Sequence, residues 1–392
     1  MNDLIKETIN SHNAIFNRSK LCYWAQAPGR VNLIGEHTDY HKGYVLPFAI
    51  SLYSIAILSP NNTDHINIYS EDYKETHTFS LKDKFIKKNN WTDRLEGLIR
   101  DLSKDIKTRA GFNIYVGGDL PIGKGLSSSA ASMAAVGSVF LKFYNINFEN
   151  LTFAYNLQRA EHIYGGVKCG IMDQLAVIMS QRDKALFIDC NNLNIEYVSI
   201  PDKWKIVLID SAVRHNLATS EYNKRQDECD IVLNLLNKNN NKYTSLRDIN
   251  LTDLAKILTQ LSEKSYKRVF HVLSENERVL QSIVALKSQS EEDISKNLLG
   301  SHLSLKYNYE VSAEELDFLV EQAFLTEGIV AARMTGAGFG GCTINIVNED
   351  QIDTFIGKMQ SAYESKYNKK LWIKEVLPVD GLISGVYEDI QQ

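Results

Sequence analysis

The stretch Val116–Ser132, VGGDLPIGKGLSSSAAS, constrains this chain more than any other. The alternating apolar run Phe112–Val116 meets glycines at 117, 118, 123 and 125, and Ser127–Ser132 then open a helix of small residues. Strand, glycine-rich turn and helix start in succession aim unpaired backbone N–H groups and the positive helix end at an anion. Serine hydroxyls there can also reach phosphate oxygens or Mg²⁺. A Gly/Ser-rich linker feeding an Ala-rich helix accounts for the same residues, and the segment alone does not choose. Gly118, Gly123 and Lys124 nearly match a Walker A loop, but position 125 is Gly where Ser or Thr is required, and Pro121 interrupts. A Walker A loop is therefore rejected.

A chain of 392 residues is too long for one compact core and suits two packed lobes, at about 150 residues per domain. Its 44% hydrophobic and 23% charged residues are ordinary for a globular protein with a buried core. With a net charge of −5, no basic excess argues for nucleic acid or an anionic membrane as partner. The segment MNDLIKETINSHNAIFNRSK lacks the apolar core of a secretory signal. The longest small or apolar stretch, Ala130–Leu141, is too short and too interrupted to span a bilayer. Cys22, Cys169, Cys190, Cys229 and Cys342 are scattered, odd in number and form no C-x-x-C pair, which fits a reducing compartment. The expectation is a soluble cytoplasmic protein.

Period-two and period-3.6 patterns interleave through the length, so the chain mixes α and β structure. Strands are expected at Leu52–Leu58 (Tyr53, Ile55 and Ile57 on one face), Phe112–Val116, Lys205–Asp210 and Cys342–Ile346. Helices are expected at Leu151–Tyr164, Glu228–Leu236, Ser274–Leu286 and Ala313–Phe324. The polar run Asn237–Lys242 reads as a loop tip. The lobe boundary is placed near Ile200–Trp204, giving lobes of 1–200 and 201–392.

Three further segments carry polar groups in suggestive places. In Ala27–Phe48, Arg30, Glu36, His37, Asp39 and His41 crowd between glycines, a density that suits a polyhydroxylated ligand but equally a solvated loop. A metal reading of the Glu36, His37, Asp39 and His41 cluster is weak, since the order is not H-E-x-x-H. Met334–Cys342, MTGAGFGGC, is a glycine loop for close backbone approach or a tight turn. In Cys169–Gln174, Asp173 stands between apolar neighbours, as a satisfied structural carboxylate or as a base tuned by its surroundings. Asp210–Arg225 offers Tyr222 as a sugar contact and Ser220 as a helix N-cap.

Together these segments resemble the GHMP kinase superfamily and, within it, the galactokinase family. GRVNLIGEHTDY (29–40) resembles the galactokinase signature, PIGKGLSSSAAS (121–132) the superfamily's phosphate-binding motif, and MTGAGFGGCT (334–343) its third motif. RAEHIYGGVKCGIMDQ, DSAVRHNLATSEYNKR, RVFHVLSENERV and SHLSLKYNYEVSAEELD match between them, so the resemblance runs from about residue 25 to about 350. It implies an α+β fold of two lobes, the amino-terminal one like domain 2 of ribosomal protein S5 and the carboxy-terminal one ferredoxin-like. ATP and sugar would meet between them.

The resemblance also implies residue roles. Glu36 and His37 would face the C6 hydroxyl of galactose and Asp39 its C3 and C4 hydroxyls, with Gly170, Asp173 and Tyr222 completing the pocket. Ser127 and Ser128, with backbone from Gly123, Gly125, Leu126 and Ala130, would hold the phosphates. Ser129 and Glu161 would bind Mg²⁺, and Trp91 would stand beside adenine. Arg94 replaces the tyrosine expected after that tryptophan, and Asn308 and His41 are further departures.

Asp173 would act as base on the anomeric C1 hydroxyl and Arg30 would steady charge on the phosphoryl group. The implied activity is ATP-dependent formation of α-D-galactose 1-phosphate and ADP in galactose catabolism, by a monomer. Two alternatives stand beside it. An N-acetylgalactosamine or other C1 sugar kinase shares the chemistry, although CGIMDQ looks like galactokinase. A non-catalytic galactose sensor should show damage in SSSAA, Asp173, Arg30 or Glu161, and all are intact.

Overall fold

The computed structural model describes residues 2–106, 110–213, 218–238 and 242–388. The larger sheet has six strands in the order β13 (Ile383–Glu388), β1 (Leu21–Asn32), β3 (Pro47–Pro60), β6 (Phe112–Gly118), β4 (His65–Ser70) and β5 (Glu75–Ser80). All neighbours are antiparallel except β4 and β6. The expected face of β3 is buried: Ile55 and Ile57 pack with Ile5 and Ile9 of the helix Asp3–Phe16. The opposite face, Leu52, Ala56 and Leu58, joins the main core with Ala131, Ala134 and Ala135 of the helix Ser128–Phe143. A strand covered on both faces reads as a nearly continuous apolar run, as LYSIAIL does. A small sheet of β2 (Tyr44–Val45), β7 (Lys184–Asp189) and β8 (Asn194–Ser199) lies beside this lobe.

The second lobe is built on an antiparallel sheet in the order β10 (Ile329–Met334), β11 (Cys342–Asn348), β9 (Trp204–Asp210) and β12 (Trp372–Val376). Counted along the chain this is the 2-3-1-4 order of a ferredoxin-like sheet. The helices Glu314–Phe324 and Ile352–Tyr367 pack on it through Leu319, Val320, Ala323, Phe355 and Met359. After β12, β13 returns to pair with β1 of the larger sheet.

Each expected strand lies within or overlaps β3, β6, β9 or β11, whereas three helices differ in extent. Leu151–Tyr164 is an α-helix over Asn150–Ala160 followed by a π-helical turn, Glu161–Gly165. Glu228–Leu236 is the end of a helix starting at Ala218, so Ser220 lies in its first turn and is not its N-cap. Ser274–Leu286 is the second half of Glu263–Ser288, whose N-cap is Ser262, accepting from the Ser265 N–H at 3.0 Å. The first half buries Arg268 and His271, which break the apolar stripe. Arg268 is satisfied by Glu228 at 2.8 Å and Glu310 at 2.6 Å. Residues 214–217 of the Asp210–Arg225 segment and 239–241 of the polar run lie outside the described residues. Among the described residues no helix is long and apolar enough to cross a membrane.

Candidate active site

Arg30 leaves β1 just past a register shift at Pro28/Gly29. Its guanidinium grips Asp173, in the first turn of the helix Met172–Met179, through two parallel bonds. Nε donates to Oδ1 and Nη2 to Oδ2, both at 2.8 Å. A bidentate fork fixes orientation as well as charge. The remaining Nη1 donates to the Gly125 carbonyl at 2.8 Å, and the Arg30 amide donates to the Leu126 carbonyl at 3.1 Å. Ser127, at φ +57°, donates its hydroxyl to Asp173 Oδ2. Gly125, Leu126 and Ser127 thus hold Arg30 and Asp173 in place, while Ser128, Ser129 and Ala130 line the adjoining cavities.

One cavity, of about 210 Å³, brings together Arg30, Glu36, His37, Asp39, Glu161, Gly170, Asp173 and Tyr222 with Ser129 and Ala130. Every sugar-side residue expected from sequence, Glu36, His37, Asp39, Gly170, Asp173 and Tyr222, therefore lines one cavity. Gly170 is required by close approach, since a Cβ there would overlap the Asp39 carboxylate. Burial, and then the neighbouring charges of Asp173 and Glu36, push Asp39 up to about 7, against bonds from the Tyr40 and Met172 amides.

Glu36 and His37 line the same cavity but are tied largely to the protein. Glu36 Oε1 accepts from the Gly336 amide at 2.7 Å and the Thr335 hydroxyl at 3.2 Å, and pairs with Arg333 at 3.1 Å. Oε2 accepts from Asn32 Nδ2 at 2.7 Å, which leaves that oxygen a second lone pair. Burial and the charge of His271 hold His37 down to about 3, so its ring is neutral. The Ala337 carbonyl, 3.1 Å from Nε2, can only accept, so Nε2 carries the proton and Nδ1 accepts. Tyr40 then donates to Nδ1 at 2.7 Å, and Tyr309 donates to Tyr40 at 2.9 Å. Tyr222 packs on His37 and Tyr40 with ring centroids 5.3 and 5.4 Å away. The glycine loop Met334–Cys342 is thus bonded directly to the segment Ala27–Phe48. Sequence reasoning missed Asn32, only four residues from Glu36, and Thr335 and Arg333, which reach Glu36 across some 300 residues.

The second cavity, about 140 Å³, shares Ser129 with the first and is lined by Ser128, Ser132, Trp91, Tyr73 and Arg94 among others. Trp91 stacks on Tyr73 at 5.4 Å with planes 4° apart, a partner that no sequence pattern announced. Lys124 turns away to pair with Asp210 and lies over the Trp372 ring at 4.9 Å, which agrees with rejecting a Walker A loop. Gly123 and Gly125 line neither cavity. Glu161, starting the π-turn, is paired with Arg94 through Oε1 at 2.8 Å, and its Oε2 is buried without a hydrogen-bond partner. Such turns recur at functional sites. Burial raises the Glu161 pKa and Arg94 opposes the rise.

Three family models match: the galactokinase galactose-binding signature over residues 10–60, the GHMP kinase N-terminal domain over 93–181 and the GHMP kinase C-terminal domain over 282–365. The galactokinase of Chloroflexus aurantiacus is 39% identical over 350 residues, covering 88% of this chain and 89% of that protein. The galactokinase of Thermotoga maritima is 39% identical over 358 residues, covering 91% and 98%. The chain belongs to the galactokinase family. A crystal structure of Lactococcus lactis galactokinase complexed with galactose superposes with a TM-score of 0.90 at 30% identity, covering 96% of this chain and 99% of that one. A mevalonate kinase at 20% identity, with a TM-score of 0.64, shares the two-lobed GHMP kinase fold. The galactokinase signature model spans Arg30, Glu36, His37 and Asp39, and the N-terminal model spans the phosphate segment, Glu161 and Asp173. Trp91 and Tyr222 fall outside the three models.

Proposed function

We infer that this galactokinase-family protein transfers the γ-phosphoryl group of ATP to the anomeric C1 hydroxyl of galactose, giving α-D-galactose 1-phosphate and ADP. The observation that carries the reading is the Arg30–Asp173 fork, set in a cavity that shares Ser129 with a second cavity at a helix N-terminus. A sugar hydroxyl is a weak nucleophile, and Asp173 accepts its proton as the C1 oxygen attacks phosphorus in line with the departing β-phosphate oxygen. Arg30 holds Asp173 oriented through the fork and faces the transferring group. Asp39 accepts from the C3 and C4 hydroxyls, Glu36 Oε2 from the C6 hydroxyl beside His37, and Tyr222 closes the pocket. Trp91 and Tyr73 flank the base. The first N–H groups of the helix Ser128–Phe143, with Ser128, meet the phosphates.

The residues present fit Mg²⁺. Glu161 Oε2 is a buried oxygen without a partner, and Ser129 lines the same cavity. Hard oxygen donors in small number, with phosphates and water supplying the rest, suit that ion. When bound, Mg²⁺ neutralises charge on the phosphates. The lobe division near residue 200 is part of this reading, with β13 counted in the first lobe.

Three measurements bear on it. Phosphorus NMR of the product formed with Mg·ATP and galactose should show an anomeric phosphate; phosphate at C6 would invert the sugar in the pocket. Gly170→Ala should lower kcat/KM for galactose about 10²-fold, the usual cost of displacing a positioning group by an ångström, while Mg·ATP affinity stays. An unaffected kcat/KM would free Asp39 of that role. With Asp39 near 7, only the ionised carboxylate accepts both hydroxyls. Galactose affinity should therefore rise from pH 6 to pH 8 by roughly tenfold and then level off. Asp39→Asn should flatten that profile in calorimetry.

A further inference from the structure

In the nucleotide-side cavity Arg94 is the one cationic residue among those described as lining it. Lys124, the nearest basic residue in the phosphate segment, is committed to Asp210. On this side of Ser129 a highly charged anion would thus meet a single lining side-chain cation, while Arg30 lines the cavity on the other side. Arg94 stands in the helix Thr92–Leu102, just after Trp91, and reaches across to the π-turn. Its Nε stands 2.8 Å from Glu161 Oε1 as an ion pair without hydrogen-bond geometry, and its side chain stays 29% exposed against 8% for Glu161. Gly165 makes room for the pair, since a Cβ there would crowd both Arg94 Nε and Glu161 Oε1. A guanidinium carries five N–H donors in a rigid fork, so engaging one carboxylate oxygen at Nε leaves donors for another anion. Glu161 is divided in the same way, with Oε1 on Arg94 and Oε2 unpartnered.

We propose that Arg94 is a triphosphate-binding residue of this protein: one edge of its guanidinium steadies Glu161 Oε1, its remaining donors bind ATP phosphate oxygens, and Glu161 Oε2 is kept for the metal. The proposal deepens the kinase reading above and rests on it.

The test is calorimetry with Mg·ATP on the wild type, Arg94→Met and Arg94→Lys, with galactose titrated separately and adenosine competed against the nucleotide. Arg94→Met should weaken Mg·ATP binding about 10- to 100-fold, the worth of a charge-assisted hydrogen bond. Galactose and adenosine affinities should stay at wild-type values. Arg94→Lys, which keeps the charge, should recover most of the loss. Should Arg94→Met fail to fold by circular dichroism, Arg94→Gln carries the same expectation. Wild-type Mg·ATP affinity in the folded variant would overturn the proposal, and so would a parallel loss of adenosine, which would make Arg94 a wall of the base pocket. Failure of the wild type itself to bind Mg·ATP would instead overturn the kinase reading, and this proposal with it.

Discussion

Asp173→Asn should lower kcat by about 10³-fold, in the middle of the range for loss of a general base, while the protein remains folded. The amide has the shape of the carboxylate and keeps one oxygen for Arg30, but it cannot take the C1 hydroxyl proton. Half of the Arg30 fork then faces an N–H₂ group. Because the Asp173 side chain is 27% exposed and sits at the end of a helix, water compensates part of that mismatch. Steady-state kinetics with Mg·ATP and galactose, alongside a thermal melt, separates the two effects. Turnover near that of the wild type would remove Asp173 from the chemistry.

The second large effect is expected at Asp39. Asp39→Ala leaves two sugar hydroxyls without an acceptor, so galactose affinity should fall about 100-fold or more. That figure follows from hydrogen bonds to a charged group of roughly 1.5–3 kcal/mol each. Mg·ATP affinity should be retained. The fold itself should not suffer at alkaline pH. The folded pKa of Asp39 lies above the ordinary carboxylate value of 3.8, near 7. The native state therefore holds the proton more tightly than the unfolded chain, and stability from this group falls as pH rises from about 4 to about 7. Above that window the ionised carboxylate is a cost that alanine removes. An unchanged galactose affinity in calorimetry would take Asp39 out of the pocket.

The site was legible in the sequence to the extent that its parts are local. Glycine and serine density at Val116–Ser132 and the crowded polar run after Arg30 announce a turn, a helix start and a polar pocket through short-range chemistry. The division of labour within the phosphate segment was not legible. Gly125, Leu126 and Ser127 serve Arg30 and Asp173, because residue 30 approaches them from another strand. Glu36 illustrates the same limit: its partners Thr335, Gly336 and Arg333 come from the far end of the chain. For the fold, strands read well where alternation or a buried run was clean. The helix Glu263–Ser288 was seen only in part, because Arg268 and His271 are buried on ion pairs and hydrogen bonds that no periodicity reveals. The return of β13 to the first sheet leaves no mark on residues 383–388 beyond strand propensity.

The most direct test is ADP release with Mg·ATP over galactose, N-acetylgalactosamine, glucose, galacturonate, arabinose and no sugar. The account predicts turnover that depends on galactose and is far weaker with the other sugars. Activity confined to another sugar would keep the phosphate segment and Asp173 but contradict the roles given to Glu36, His37, Asp39 and Tyr222. Silence across the panel, with galactose still bound in calorimetry, would contradict the kinase account and leave a sugar sensor.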